Sequence, residues 1–260
     1  MSGTVHLETV EPGIVRVVID QPERLNAISR AMWDRLGAIL SELDRDESLR
    51  CAILAGRGER AFSVGADITE FEAIRSTVDK AKAYAERTHA ALGALRGLRH
   101  PVVAAIEGLC VGGGLELACN ADLRICGRSS RFGIPIKRLG LVVAYRELAP
   151  LVQLVGKANA LRILLEGDLL DAEEALRIGL VNRVVADGRV MDEALATARR
   201  IAEGAPLVAR WHKKFVNRLM DPRPLSPEEE DESYLCFGTE DFREGTRAFL
   251  EKRKPVFVGR

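Results

Sequence analysis

The chain has no excess of either charge. Its 38 lysines and arginines are balanced by 38 aspartates and glutamates, and the isoelectric point is near 6.9, so no global field favours nucleic acid or an anionic membrane as a partner. Cysteine is sparse and unpatterned. Cys51, Cys110, Cys119, Cys126 and Cys236 are odd in number and include no C-x-x-C pair, which argues against a disulfide framework and against a zinc site. They read as small buried hydrophobes in a reduced compartment, and no metal is expected. Residues 1–13 lack a basic segment followed by an apolar one, so no signal peptide is expected. The longest apolar stretch, Pro101 to Ala118, is interrupted by Glu107, three glycines and Glu116, unlike an ordinary membrane span. These absences together predict a soluble, cytoplasmic protein with no membrane partner. No Rossmann G-x-G-x-x-G, no phosphate loop ending in Gly-Lys-Ser/Thr and no G-x-S-x-G elbow around Ser63 is found.

At 260 residues and 47% hydrophobic content the chain can bury a substantial core as an α/β domain with a smaller appendage. Thr4 to Val10 and Gly13 to Asp20 read as strands joined by a Glu-Pro-Gly turn. Ser29 caps a helix with Met32, Trp33, Leu36, Ile39, Leu40 and Leu43 at helical spacing, followed by a strand from Cys51 to Ala55. After a loop from Gly56 to Gly65, a helix is predicted from about Thr77 to Leu98, then a strand from Pro101 to Ile106, a triple glycine with a short helix, and a strand from Leu123 to Cys126. Tyr145 to Leu165 and Asp171 to Ile178 read as helical, and Leu180 to Val185 as a strand. Strands alternating with helices indicate a layered α/β domain. From Val190 onward the pattern is helical only, which suggests a division into a core of residues 1–190 and a helical region of 191–260. Helices without a sheet of their own need another surface to cover their apolar faces, and oligomerisation would supply it.

Two glycine-bearing segments carry the functional signal: Ala61-Phe62-Ser63-Val64-Gly65-Ala66-Asp67-Ile68, and Gly112-Gly113-Gly114-Leu115-Glu116. Each sets bare backbone N–H groups where the chain turns into a helix. Glycine clusters are often only tight turns, but two converging N–H groups are also what stabilises an oxyanion.

The chain resembles the crotonase (enoyl-CoA hydratase/isomerase) superfamily. The likeness runs through Gln21-Pro22-Glu23-Arg24-Leu25-Asn26-Ala27, Ala61 to Ile68, Val102 to Asp122, Phe132-Gly133, Gly156-Lys157, Ala175 to Val185, and Glu240 to Gly245 with Ala248-Phe249. The resemblance implies a spiral of ββα units with a C-terminal helical oligomerisation region, homotrimers or homohexamers, and acyl-CoA thioester substrates, with coenzyme A entering as part of the substrate and no separate cofactor. It further implies that the amides of Ala66 and Gly113 form an oxyanion hole for the thioester oxygen. Charge gathers on that oxygen as an enolate forms, and each fixed donor is typically worth about 3 kcal/mol in the transition state.

Glu116 corresponds to one of the two acid/base glutamates of the family's hydratases; taken alone it would read as a first-turn acid. At the position of the second glutamate, after Arg131-Phe132-Gly133-Ile134-Pro135, the chain has Ile136, and the glycine-rich segment that follows in hydratases is replaced by Leu141 to Glu147. Isoleucine moves no proton, so the two-carboxylate mechanism is incomplete at that position. Tyr145 and Glu147 are the polar candidates in the rewritten loop. Hydratase-like lyase chemistry with a non-standard second acid/base position is placed first. The alternatives are an isomerase using Glu116 alone, a decarboxylase of malonyl-type thioesters favoured by the more apolar pocket, or an inactive acyl-CoA-binding protein. The segments around Leu25 and Ala27, and Ala66, Asp67 and Ile68, resemble those bordering pantetheine and adenine, and with Gly113, Ile136 and Tyr145 make up the expected substrate-binding set. Lys252, Arg253 and Lys254 could meet phosphate or serve a helix C-terminus. The histidines His6, His89, His100 and His212 match no catalytic position of the family.

Overall fold

Strand-forming runs and helices alternate along the chain in a way that distributes the strands over two sheets. The structure, a computed structural model, describes residues 3–260. In chain order it contains β1 (Thr4–Glu11), β2 (Ile14–Asp20), α1 (Arg30–Arg45), β3 (Cys51–Gly56), β4 (Ala61–Ser63), α2 (Phe71–Arg75), α3 (Val78–Gly97), β5 (Val102–Ile106), β6 (Leu109–Val111), α4 (Gly113–Cys119), β7 (Leu123–Gly127), β8 (Arg131–Gly133), α5 (Tyr145–Glu166), β9 (Leu170–Asp171), α6 (Ala172–Arg177), β10 (Arg183–Val185), α7 (Val190–Ala202), α8 (Pro206–Leu219), α9 (Pro227–Asp231) and α10 (Glu240–Leu250). The large sheet has the order β1-β2-β3-β5-β7-β10 and the small one β4-β6-β8-β9. Each of β3, β5 and β7 is followed at once by a short strand of the other sheet, so the chain climbs through repeated ββα turns. The short strands β4, β6 and β8 carry too few residues to show a period, and sequence patterning passes over them as loop.

Alternation along the parallel strands explains the two-sided core. Ala52, Leu54, Val102, Ala104 and Ile106 join the cluster under α1 and α3, whereas Cys51, Ile53, Ala55, Val103 and Ala105 face Val190, Ala194 and Ala198 of α7. A sheet covered on both faces needs near-continuous apolar strands, and β3 and β5 have them. The predicted inner face of α1 is buried at all six positions, and Ser29 caps the helix by accepting from the Met32 N–H at 3.3 Å. Cys51, Cys110, Cys119 and Cys126 are buried and free; burial pushes the thiols of Cys51 and Cys119 up to about 12.

The helices beyond residue 190 are anchored to this core. Besides α7 on the sheet, Arg210 of α8 binds Glu47 at 2.8 Å, and Lys213 binds Asp122 at 2.8 Å and the His100 carbonyl at 2.9 Å. Helix α5 is long and apolar enough to cross a membrane by length and composition. It is broken at Gly156, where φ is +73°, and it buries Leu151, Val155, Ala160 and Ile163 against the core.

Candidate active site

The first wall of the site is the segment after β4, held by the loop before α1. Asn26 accepts from the Gln21 N–H at 3.0 Å and donates to the carbonyls of Ala61 (2.7 Å) and Arg57 (3.0 Å). The Ser63 hydroxyl donates to the Asn26 carbonyl at 2.7 Å and accepts from the Gly65 N–H at 3.1 Å. Ile28 then grips the chain on both sides of Ala66, donating to the Gly65 carbonyl at 2.7 Å and accepting from the Asp67 N–H at 3.1 Å. In a parallel pairing of this kind the N–H of the central residue points the other way, and the Ala66 amide has no acceptor among the described residues.

The second wall is the start of α4. Gly112 adopts φ +55° and ψ −129°, a conformation essentially restricted to glycine, and its N–H donates to the Gly133 carbonyl at 2.9 Å. Gly113 opens the helix, where amides have no intrahelical acceptor. Its N–H also lacks an acceptor among the described residues. The two walls touch through glycine: a Cβ on Gly65 would fall 2.5 Å from the Gly113 nitrogen, and one on Gly113 would fall 3.6 Å from the Ala66 nitrogen. Two unpaired donors are thereby held next to each other. At Gly114 a Cβ would overlap the Ser63 carbonyl, which is backbone and cannot swing away. Gly114→Ala is therefore expected to cost ~1–3 kcal/mol by overpacking, a fall in Tm of roughly 3 to 10 °C for a domain of this size, read by calorimetry. An unchanged Tm would mean that the walls are looser than this packing.

Leu115, Leu117 and Ala118 turn the other faces of α4 into the core, which directs Glu116 into the cavity between the walls. Its carboxyl is pushed up to about 8, first by burial, then by the negative charge of Glu147, with Arg75 acting in the opposite direction. Glu147 lies in the first turn of α5. Its Oε2 accepts from the Ala144 N–H at 3.1 Å, and its Oε1 is 3.1 Å from Nε2 of His89 on α3. That second contact does not meet hydrogen-bond geometry. The Glu147 side chain is only 14% exposed. A cavity of about 170 Å³ is lined by Ala66, Ile68, Arg75, Gly113, Glu116, Ile136 and Glu147 among others.

The family profile described as enoyl-CoA hydratase/isomerase matches residues 9–260. The chain is 34% identical to the short-chain-enoyl-CoA hydratase of Clostridium acetobutylicum, covering 94% of each chain. It is 36% identical to a probable enoyl-CoA hydratase of Rhizobium meliloti, again over 94% of each. A crystal structure of an enoyl-CoA hydratase/carnithine racemase from Magnetospirillum magneticum superposes with a TM-score of 0.97 at 46% identity, covering 100% of this chain and 97% of that one. The chain belongs to the enoyl-CoA hydratase/isomerase family. It is an enzyme of that family with the crotonase fold, and its name-bearing relatives include hydratases.

Within that family fold the expected site residues separate into two groups. Ala66, Ile68, Gly113, Glu116 and Ile136 meet at the cavity. Leu25, Ala27 and Asp67 do not line it. Leu25 takes a left-handed backbone at φ +53° and receives the Val64 N–H at 3.2 Å, and Ala27 is buried. The Asp67 carboxylate is consumed by Thr69 and Arg24, which hold it below the usual carboxylate range despite its burial. Tyr145 is 93% exposed and stays outside. The reason is helical geometry: two residues along an α-helix are about 200° apart, so with Glu147 facing inward, Tyr145 faces out. Arg253 is engaged by Glu244 and Glu251. Sequence reasoning passed over His89 and Arg75, which come from helices with no motif of their own. For His89 the one available signal was its place beside buried Thr88 on α3; α2 buries no residue of its own and offered none for Arg75.

Proposed function

We propose that this enzyme adds water across the double bond of a 2-enoyl-CoA thioester, with Glu147 taking the role that Ile136 cannot fill. The observation that carries this reading is the convergence of Glu116, Glu147 and the unpaired amides of Ala66 and Gly113 on one cavity. Burial raises the Glu116 carboxyl, which suits it to the acid role, and Glu147 on the same cavity supplies the second carboxyl that an acid/base pair needs. Glu147, backed by His89, accepts a proton from water as the water oxygen bonds to Cβ. The π pair of the C=C bond moves into the thioester, whose oxygen becomes an oxyanion between the two amides. Glu116, still protonated near neutrality, then gives its proton to Cα, and a proton returning from Glu147 through solvent restores the pair. No electrons leave the substrate, so the reading requires no redox cofactor.

A cavity of about 170 Å³ is smaller than the ~300–1,000 Å³ of sites that enclose whole drug-sized ligands. It suits a short acyl group, with coenzyme A along the 24–27 and 66–68 segments. Exposed Val216, Leu219, Tyr234, Phe237, Phe249 and Leu250 fit the reading of the helical region as a homotrimer or homohexamer face. A cytoplasmic location belongs to the same reading.

The test is loss of enoyl absorbance with crotonyl-CoA as a function of pH. If Glu116 is the acid, kcat/KM falls above about pH 8 as that carboxyl ionises. Glu147→Gln removes the neighbouring negative charge, so besides losing ~10²-fold or more in rate it should move the alkaline limb to lower pH. A limb that stays in place would detach Glu147 from Glu116. Turnover of a 3-enoyl-CoA in place of crotonyl-CoA would favour the isomerase reading instead.

A further inference from the structure

Arg75 is the one cation among the residues lining the cavity, and its surroundings leave it unspent. The guanidinium lies over the Tyr84 ring at 3.9 Å and the Phe71 ring at 4.6 Å from the centroids. Among the described residues no carboxylate comes within 4.0 Å of it, and its Nε is buried without a hydrogen-bond partner. Glu147, which lines the same cavity, accepts the Ala144 amide and lies beside His89. Glu116 is held largely protonated near neutrality. The rest of the cavity lining includes the apolar side chains of Ile68, Ile136, Leu139, Leu141 and Val142.

Two aromatic rings against the guanidinium restrict its plane, and a stacked arginine can still donate from its terminal N–H groups. The cavity's two carboxyl groups, Glu116 and Glu147, line it without forming an ion pair with this guanidinium, so a ligand can supply the close counter-charge that a partly buried cation favours. A carboxylate matches the guanidinium edge with two parallel charge-assisted hydrogen bonds. We propose that the acyl chamber takes thioesters of dicarboxylic acids, and that Arg75 binds the carboxylate at the far end of the acyl chain. This substrate class rests on the reading of the cavity as an acyl-CoA site. Discrimination of this kind is strong, since a neutral chain of equal length leaves the guanidinium desolvated and unpaired.

Equilibrium binding of glutaryl-CoA and pentanoyl-CoA tests the inference without requiring turnover. The two differ in a terminal carboxylate against a terminal methyl, and neither has a double bond to hydrate. The parent protein is expected to bind glutaryl-CoA ~10- to 100-fold more tightly. In Arg75→Gln the ratio of the two affinities should fall to about one, and in Arg75→Lys, which keeps the charge but not the fork, it should lie between. A ratio near one in the parent overturns the inference. So does a ratio that survives at the parental value in folded Arg75→Gln, or an equal loss for both ligands, which would place Arg75 on the coenzyme A portion common to them. Failure of the parent to bind either thioester would instead sink the acyl-CoA reading of the cavity, and with it this one. Binding of both with no hydration of pent-2-enoyl-CoA or glutaconyl-CoA would sink only the hydratase mechanism.

Discussion

Glu116→Gln should abolish crotonyl-CoA hydration, lowering kcat by ~10²–10⁴-fold, while the protein becomes more stable at alkaline pH. Both effects come from one carboxyl. Glutamine keeps the size and can still donate a hydrogen bond, but it cannot deliver a proton to carbon. On stability the sign follows from the direction of the shift. The folded-state value is raised from 4.5 to about 8, so between those limits the folded protein holds a proton that the unfolded chain releases. Stability therefore falls as pH climbs through that window, and above about pH 8 the folded enzyme carries an ionised carboxylate in a low-polarity cavity. Glutamine does not titrate. The Tm of the variant relative to its parent should widen from pH 5 to pH 9, and thermal melts at those two values read it. A variant that hydrates crotonyl-CoA at the parental rate would remove Glu116 from the mechanism; a Tm difference flat in pH would show that its carboxyl is not raised.

Gly113→Pro should cost ~10²–10³-fold in kcat, the effect of deleting one oxyanion donor, with a much smaller effect on folding. Gly113 is the first residue of α4, the helical position at which proline is best tolerated because its amide has no intrahelical partner. Space for a Cβ is adequate: the nearest atoms to one built there are at 3.4 to 3.7 Å. The substitution thus removes the N–H aimed at the cavity while respecting the helix. Gly113→Ala is the control, since it adds the carbon and keeps the donor. Circular dichroism establishes folding, and steady-state rates with crotonyl-CoA separate the two. If alanine and proline lose activity equally, steric filling rather than the lost donor is responsible.

The periodic parts of the fold were legible because burial acts residue by residue. α1 displays its inner face at positions 32, 33, 36, 39, 40 and 43, and all six are buried. The cap at Ser29 was legible for an equally local reason: its side chain accepts the amide three residues ahead. β4, β6 and β8, with three residues each, were not. Their pairing is settled by partners some 20 to 50 residues away, such as Cys110 beside Phe132 and Ser63. α2 was missed as well, being only five residues long.

For the site, the sequence by itself determined the two glycine segments, Glu116 and the loss of a carboxylate at Ile136, since each is a residue type at a fixed offset within one segment. Which amides are left without acceptors, and which charged groups face Glu116, was decided by tertiary structure alone. Glu147 enters from α5 and Arg75 from α2; the sequence offered Glu147 only as one of two polar candidates beside Tyr145, and nothing in the local sequence of Arg75 distinguishes it from the solvated polar residues around it. Their effect on Glu116 depends on distance and on the exclusion of water, and both exist only once the helices have packed.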